Sequence, residues 1–220
     1  MGRWIVRLAL WMLMAETALL FGLAALDYVC HPDGYNAPFR SKYRRHLAVV
    51  ISHGVAGSLA LGVGPLQFVA WLRRRGAHRW LGRAYVACVV TAAVTGIPLS
   101  LEAEGGRAGR AGFLVLNVFW LATVIAGWQA ARRGRFAEHG RWMTRSYALT
   151  FSAILTRLYL FHLQQAGLDL DAIAPYASWL PWTLALGLVE LGLRRATAGR
   201  RFGVEERGSL SARIPSIIEP

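Results

Sequence analysis

Apolar residues gather into six long stretches, at 4–29, 46–72, 81–101, 111–131, 142–162 and 176–193, parted by short polar segments rich in Arg or Gly. A bilayer span needs about 20 mostly apolar residues, and each stretch comes near or exceeds that length. The pattern predicts an all-α fold: a polytopic transmembrane helical bundle of six spans. The first stretch is long and has no small-residue cleavage site leading into a soluble chain, so it reads as a retained helix and not as a signal peptide. Residues 1–195 are expected to form one six-helix membrane domain. Residues 196–220 lose the apolar pattern and are expected to be a flexible cytoplasmic tail.

Charge then gives the bundle a direction. The chain of 220 residues carries 25 basic residues, only one of them Lys, against 12 acidic ones, and has a formal net charge of +13. Eighteen of the 25 fall at the N-terminus, in the turns after the second and fourth stretches, and in the tail; six fall on the other side, and Arg157 lies within a span. By the positive-inside rule both termini are cytoplasmic in a multi-pass protein of the inner (plasma) membrane. The apolar fraction of 55% excludes a disordered chain. Cys30 and Cys88 alone exclude a disulfide scaffold. The lipid bilayer is the partner this composition calls for. A membrane protein partner or a second copy of the chain is compatible with it, and no nucleic acid is needed to explain the charge.

Two of the Arg-rich turns resemble each other. RRRGAHRWLGRAY (73–85) and RRGRFAEHGRWMTRSY (132–147) both run from an Arg cluster through a His to Arg-Trp-x-x-Arg-x-Tyr. Trp80, Arg83 and Tyr85 recur as Trp142, Arg145 and Tyr147, each 62 residues on. The repeated unit is a helix hairpin, and both hairpins run in the same sense. A parallel repeat has its pseudo-twofold axis along the membrane normal. Hairpins packed face to face about that axis would bring His78 and His139 together. Ordinary selection of Trp, Tyr and Arg at a membrane interface would also yield such turns.

Polar groups at membrane depth are costly and point to function. His53, Gly57, Ala60, Gly64, Gln67 and Trp71 are spaced by steps of three and four, so a continuous helix over 46–72 puts them on one face. The small residues leave a groove open to a neighbouring helix, to a planar cofactor or to a quinone ring. Ser146, Thr150, Ala153 and Arg157 make a matching face. Arg157 either snorkels outward or finds an internal partner, for which Glu16 is at a suitable depth. Glu190 is explained by an ion pair with Arg194 one turn on.

Of the six histidines, His46, His53 and His162 could cluster near the outer face, and His78 and His139 pair near the inner one. Imidazole is a usual axial ligand of haem iron, so haem b is the cofactor these residues suggest. His53, His78 and His139 are the expected ligands, with Gln67, Arg141, Arg145 and Arg157 as accompanying cofactor-binding groups. The identity of any metal is not read from the sequence: no HExxH, CxxC or carboxylate cluster accompanies the histidines. No nucleophile elbow, Walker loop or Rossmann glycine pattern is present, and no catalytic residue is assigned.

HGVAGSLALGVGPLQF (53–68), HRWLGRAY (78–85) and HGRWMTRSYALTFSAILTRLYL (139–160), in that order, resemble the bacterial membrane proteins grouped as domain-of-unknown-function 2306. The resemblance covers residues 45–193. It implies that His53, Gly64, Gln67, His78, Arg79, Gly82, Arg83, Tyr85, His139, Trp142, Met143, Arg145, Ser146, Tyr147 and Arg157 are signature positions. Gly140 and Ala185 depart from the pattern, where an Arg and an Asn are expected. The resemblance implies a polytopic membrane protein and supplies no activity. Six helices with His near both faces are also similar in architecture to dihaem cytochromes b, although 111–131 carries no His. Three functions stay open: a redox protein with His-ligated haem b or a bound quinone, a small-molecule or lipid transporter, and an accessory membrane subunit without chemistry of its own.

Overall fold

A computed structural model describes residues 45–74 and 76–211. The first expected span, with Glu16, lies outside the described residues. The rest is helical: α1 (Leu47–Leu66), α2 (Ala70–Arg74), α3 (Ala77–Leu101), α4 (Gly106–Arg132), α5 (Phe136–Gln165) and α6 (Leu170–Ser211). Four segments are long and apolar enough to cross a membrane: α1, α3, α4 and Leu170–Ala198 of α6. They correspond to the second, third, fourth and sixth apolar stretches.

α1, α3, α4 and α5 form a four-helix core in which chain neighbours are spatial neighbours and α5 returns to meet α1. α3 and α5 face each other diagonally. α6 packs outside this core against α4 and α5. The Arg-rich turns, after α1–α2 and after α4, lie at one end of the bundle, here called the Arg-rich end. Both reverse the chain through a glycine at positive φ, Gly76 (74°) and Gly134 (71°), a conformation in which a Cβ would be strained.

The packing is inside-out relative to a soluble protein. Alanines fill the interior, with Ala60, Ala92, Ala93, Ala130 and Ala177 fully buried. Large apolar residues such as Leu59, Val94, Val118, Leu184 and Leu188 face outward. Without a hydrophobic drive between helices, close backbone approach through small residues holds such a bundle together. α5 is not among the four apolar spans, although its 30 residues are enough to cross. It can be more polar because α1, α4 and α6 surround it. Its buried hydroxyls satisfy themselves locally: Thr150 donates to Ser146 O (3.0 Å), Ser152 to Leu149 O (2.7 Å) and Thr156 to Ser152 O (3.0 Å).

The continuous helix expected over 46–72 is instead broken after Leu66. Tight turn bonds follow, from Gln67 N to Gly64 O, Phe68 N to Pro65 O and Val69 N to Leu66 O, and α2 begins at Ala70. Trp71 therefore leaves the face it was expected to share with His53. Pro65, inside the last turn of α1, has no N–H to give Leu61 O four residues back. The Tyr147 hydroxyl of α5 donates to that carbonyl instead (3.4 Å). Toward the C-terminus, α6 continues as helix to Ser211, beyond the start of the expected tail.

Candidate functional site

The two Arg-rich turns bring His78, at the start of α3, against His139, at the start of α5. Their ring centroids are 6.3 Å apart and the planes nearly perpendicular (82°). Both rings are half-buried. Each is steered on its Nδ1 side by another helix. His139 Nδ1 donates to the Gly127 carbonyl of α4 at 2.9 Å. Gln67, capping α1, reaches His78: with its amide oriented to satisfy every contact, Nε2 donates to His78 Nδ1 (2.8 Å) and to His78 O (3.2 Å). Oε1 then accepts from Gly82 N (3.2 Å). Three of the expected site residues, Gln67, His78 and His139, therefore converge.

In its neutral form His139 keeps its lone pair on Nε2, because Nδ1 is spent as a donor. His78 in this amide orientation has the complementary tautomer, accepting at Nδ1 and carrying its proton on Nε2. Turning the Gln67 amide over would present Oε1 to Nδ1 and reverse the tautomer. Gln67 is thus the group that sets which nitrogen of His78 is free.

The cations at this end have separate roles. Arg145 stacks over Trp142, with its guanidinium carbon 4.8 Å from the ring centroid. It also forms a two-pronged ion pair with Glu190 of α6, Nε to Oε1 and Nη2 to Oε2 (3.0 Å). Glu190 was expected to pair with Arg194 on its own helix; the partner that grips it is Arg145, because α5 and α6 pack side by side. Arg141 is exposed on the first turns of α5.

His53 and Arg157 lie toward the opposite end of the bundle. His53 Nδ1 donates to the Ala92 carbonyl of α3 (2.8 Å). Arg157 is exposed, donates to Ala153 O (3.0 Å) and is near enough for its charge to act on His53. The expected outer histidine cluster does not form. His46 bonds Glu102 (3.0 Å) and His162 lies edge-on to Phe161 (5.4 Å). Among the described residues no group of three or more His, Cys, Asp or Glu could hold a metal ion. The imidazoles were expected to act in two layers, and only the inner layer is a pair.

At Gly64 the groove along α1 is filled from α5 and α3. A Cβ at Gly64 would overlap the Tyr147 ring and come within 3.0 Å of Tyr85. Mid-bundle, the Tyr85 hydroxyl bonds Ser146 (3.1 Å) and Thr150 (2.9 Å), and Trp120 Nε1 donates to Thr150 (2.9 Å). Every polar atom of this knot has a partner, so it ties α3, α4 and α5 together as a structural element. A second tie, Asn117 Nδ2 to Ser100 (2.9 Å), closes α4 on α3 above Gly96. Spacing alone did not disclose the Trp120 and Ser100 contacts, since neither residue belongs to a repeated motif.

A family model described as "Predicted membrane protein (DUF2306)" matches residues 50–193. No curated protein and no solved structure matches the chain. The chain belongs to this family, and with its several apolar helices it is a multi-pass membrane protein.

Proposed function

We propose that this member of the family is a membrane redox protein that holds a single b-type haem at its Arg-rich end, between His78 and His139. The observation that carries the reading is the pairing of two imidazoles from opposed helices, 6.3 Å apart between centroids. Metal–imidazole bonds are about 2 Å long, so two imidazoles at this separation are close enough that both would hold one metal ion. Ligating histidines almost always donate the other ring N–H to a carbonyl or carboxylate, and His139 does so to Gly127. His78 would take the same arrangement only if the Gln67 amide turned to accept from Nδ1, giving up its bonds to His78 O and Gly82 N. Arg141, exposed two residues beyond His139 on α5, is a cation free to meet a carboxylate of the cofactor, whereas Arg145 is held by Glu190. When bound, such a haem supplies reversible one-electron transfer; the chain fixes the rings and sets their tautomers.

A second haem at the opposite end is not supported, because His53 has no second imidazole beside it among the described residues. His53 and Arg157 suit a quinone carbonyl better. A Cβ at Gly57, one turn along α1 from His53, would meet nothing within 4 Å.

A spectrum tests the haem. Protein purified in mild detergent after growth with haem precursor should show a reduced-minus-oxidised band. His78→Ala and His139→Ala should each lose it, and His53→Ala should keep it. A colourless wild-type preparation sinks the reading and leaves transport or an accessory role.

A further inference from the structure

We infer that Arg83, held over Trp80 at the Arg-rich end of α3, is a binding site for the phosphate of an anionic phospholipid headgroup. The argument comes from comparing the two copies of the Trp-x-x-Arg motif. In both, the arginine folds back over the tryptophan three residues earlier. The guanidinium carbon is 4.9 Å from the Trp80 centroid in the first copy and 4.8 Å from the Trp142 centroid in the second. Such a stack restrains the guanidinium and leaves the N–H donors of its fork available to an oxyanion.

In the second copy that fork is closed by a planar oxyanion of the same chain, the Glu190 carboxylate of α6. In the first copy it is not. Described residues pair as His46–Glu102, Arg135–Glu138 and Arg145–Glu190, and Arg83 is in none of these pairs. Among the described residues, the first copy therefore presents the same stacked guanidinium without a carboxylate to close it.

Position identifies the acceptor. Trp80 is 72% exposed, in the first turn of a helix long and apolar enough to cross a membrane. Tryptophan at the end of a span lies at headgroup level, and Arg83 is about 5 Å along the helix from it. The oxyanion abundant in that layer is the lipid phosphate, and a guanidinium binds it with two parallel hydrogen bonds. Basic pockets on the cytoplasmic side of membrane helices bind such headgroups. This inference does not depend on a bound haem.

The test is native mass spectrometry of the full chain released from phosphatidylcholine nanodiscs containing a minority of phosphatidylglycerol. Wild type should retain phosphatidylglycerol preferentially. Arg83→Gln should lower that retention about fivefold, from the usual worth of one arginine near an anionic surface. Arg83→Lys should lower it too, because a point charge lacks the fork. Arg133→Gln, which removes an exposed charge at the same end, should leave it unchanged. Equal retention by Arg83→Gln and wild type overturns the site. So does an equal fall in Arg133→Gln, which marks general attraction. Conversion of a dimer to monomer by Arg83→Gln without any change in lipid overturns it as well, since the acceptor is then a carboxylate of a second copy.

Discussion

At the level of single residues, the chain uses glycine where another helix's side chain must come to the backbone. Gly64 takes the Tyr147 ring and Gly127 takes the Met143 sulfur. These two contacts differ in how far the neighbour can yield. An aromatic ring wedged between α1 and Tyr85 has no alternative place, whereas Met has three rotatable bonds and fills irregular space. Gly64→Ala is therefore expected to destabilise by about 1–3 kcal/mol, the range for overpacking a close-packed interior. Gly127→Ala is expected to cost visibly less. Thermal unfolding in detergent of the two variants checks this, and a larger loss for Gly127→Ala would mean that Met143 is fixed. The sequence shows that Gly64 faces inward, from its spacing with His53 and Ala60. It does not show that a tyrosine fills the space, because that depends on the offset between α1 and α5. The His78–His139 pair was legible for the opposite reason: the two turns run in the same sense and carry their histidines within one residue of the same register, so hairpins packed face to face bring them together. Gln67's grip on His78 depends on the break after Leu66, and no periodicity contains it.

Among the helices, the most telling relation is between α1 and α5. Pro65 removes one backbone donor and shortens α1, and α5 answers with the Tyr147 hydroxyl on the orphaned Leu61 carbonyl. A carbonyl left without a donor in a nonpolar interior costs free energy comparable to a lost hydrogen bond. Tyr147→Phe should therefore destabilise by about 1 kcal/mol. The same change should cost less in a Pro65→Ala background, where residue 65 regains an N–H for Leu61 O. A double-mutant cycle measured by chemical unfolding reads the difference as a coupling energy. Zero coupling would show that the Tyr147 hydroxyl finds its partner elsewhere. The sequence anticipated α3 and α4 closely, since their apolar runs are unbroken, whereas the run over 46–72 is divided between α1 and α2. It placed α5 as a span like the others, but the polar side of α5 is the part of the core that the remaining helices enclose. Its serines and threonines record that burial, and hydropathy alone reads them only as a weaker span.

For the whole molecule, the two Arg-rich turns share one end because hairpins of the same sense require it, and the contact between His78 and His139 places them there together. That end also receives the helix carrying Arg194 and Arg195 away from the apolar part of α6. The turns before α3 and after α4 are rich in Arg, whereas the turn at 102–105 has no basic residue. Lys and Arg bias in short loops sets orientation because basic loops are retained on the cytoplasmic side. A reporter fused after Arg201 is therefore expected to signal cytoplasm. One inserted between α3 and α4, in the turn at 102–105, is expected to signal the opposite side. The pair is more informative than either alone: both results inverted would turn the bundle over and put the histidine pair outside. Two signals on the same side would mean that the α3 hairpin does not cross at all. The expected result gives the proposed redox site an address, since His78 and His139 would then be open to electron donors of the cytoplasm, with His53 and Arg157 across the bilayer from them.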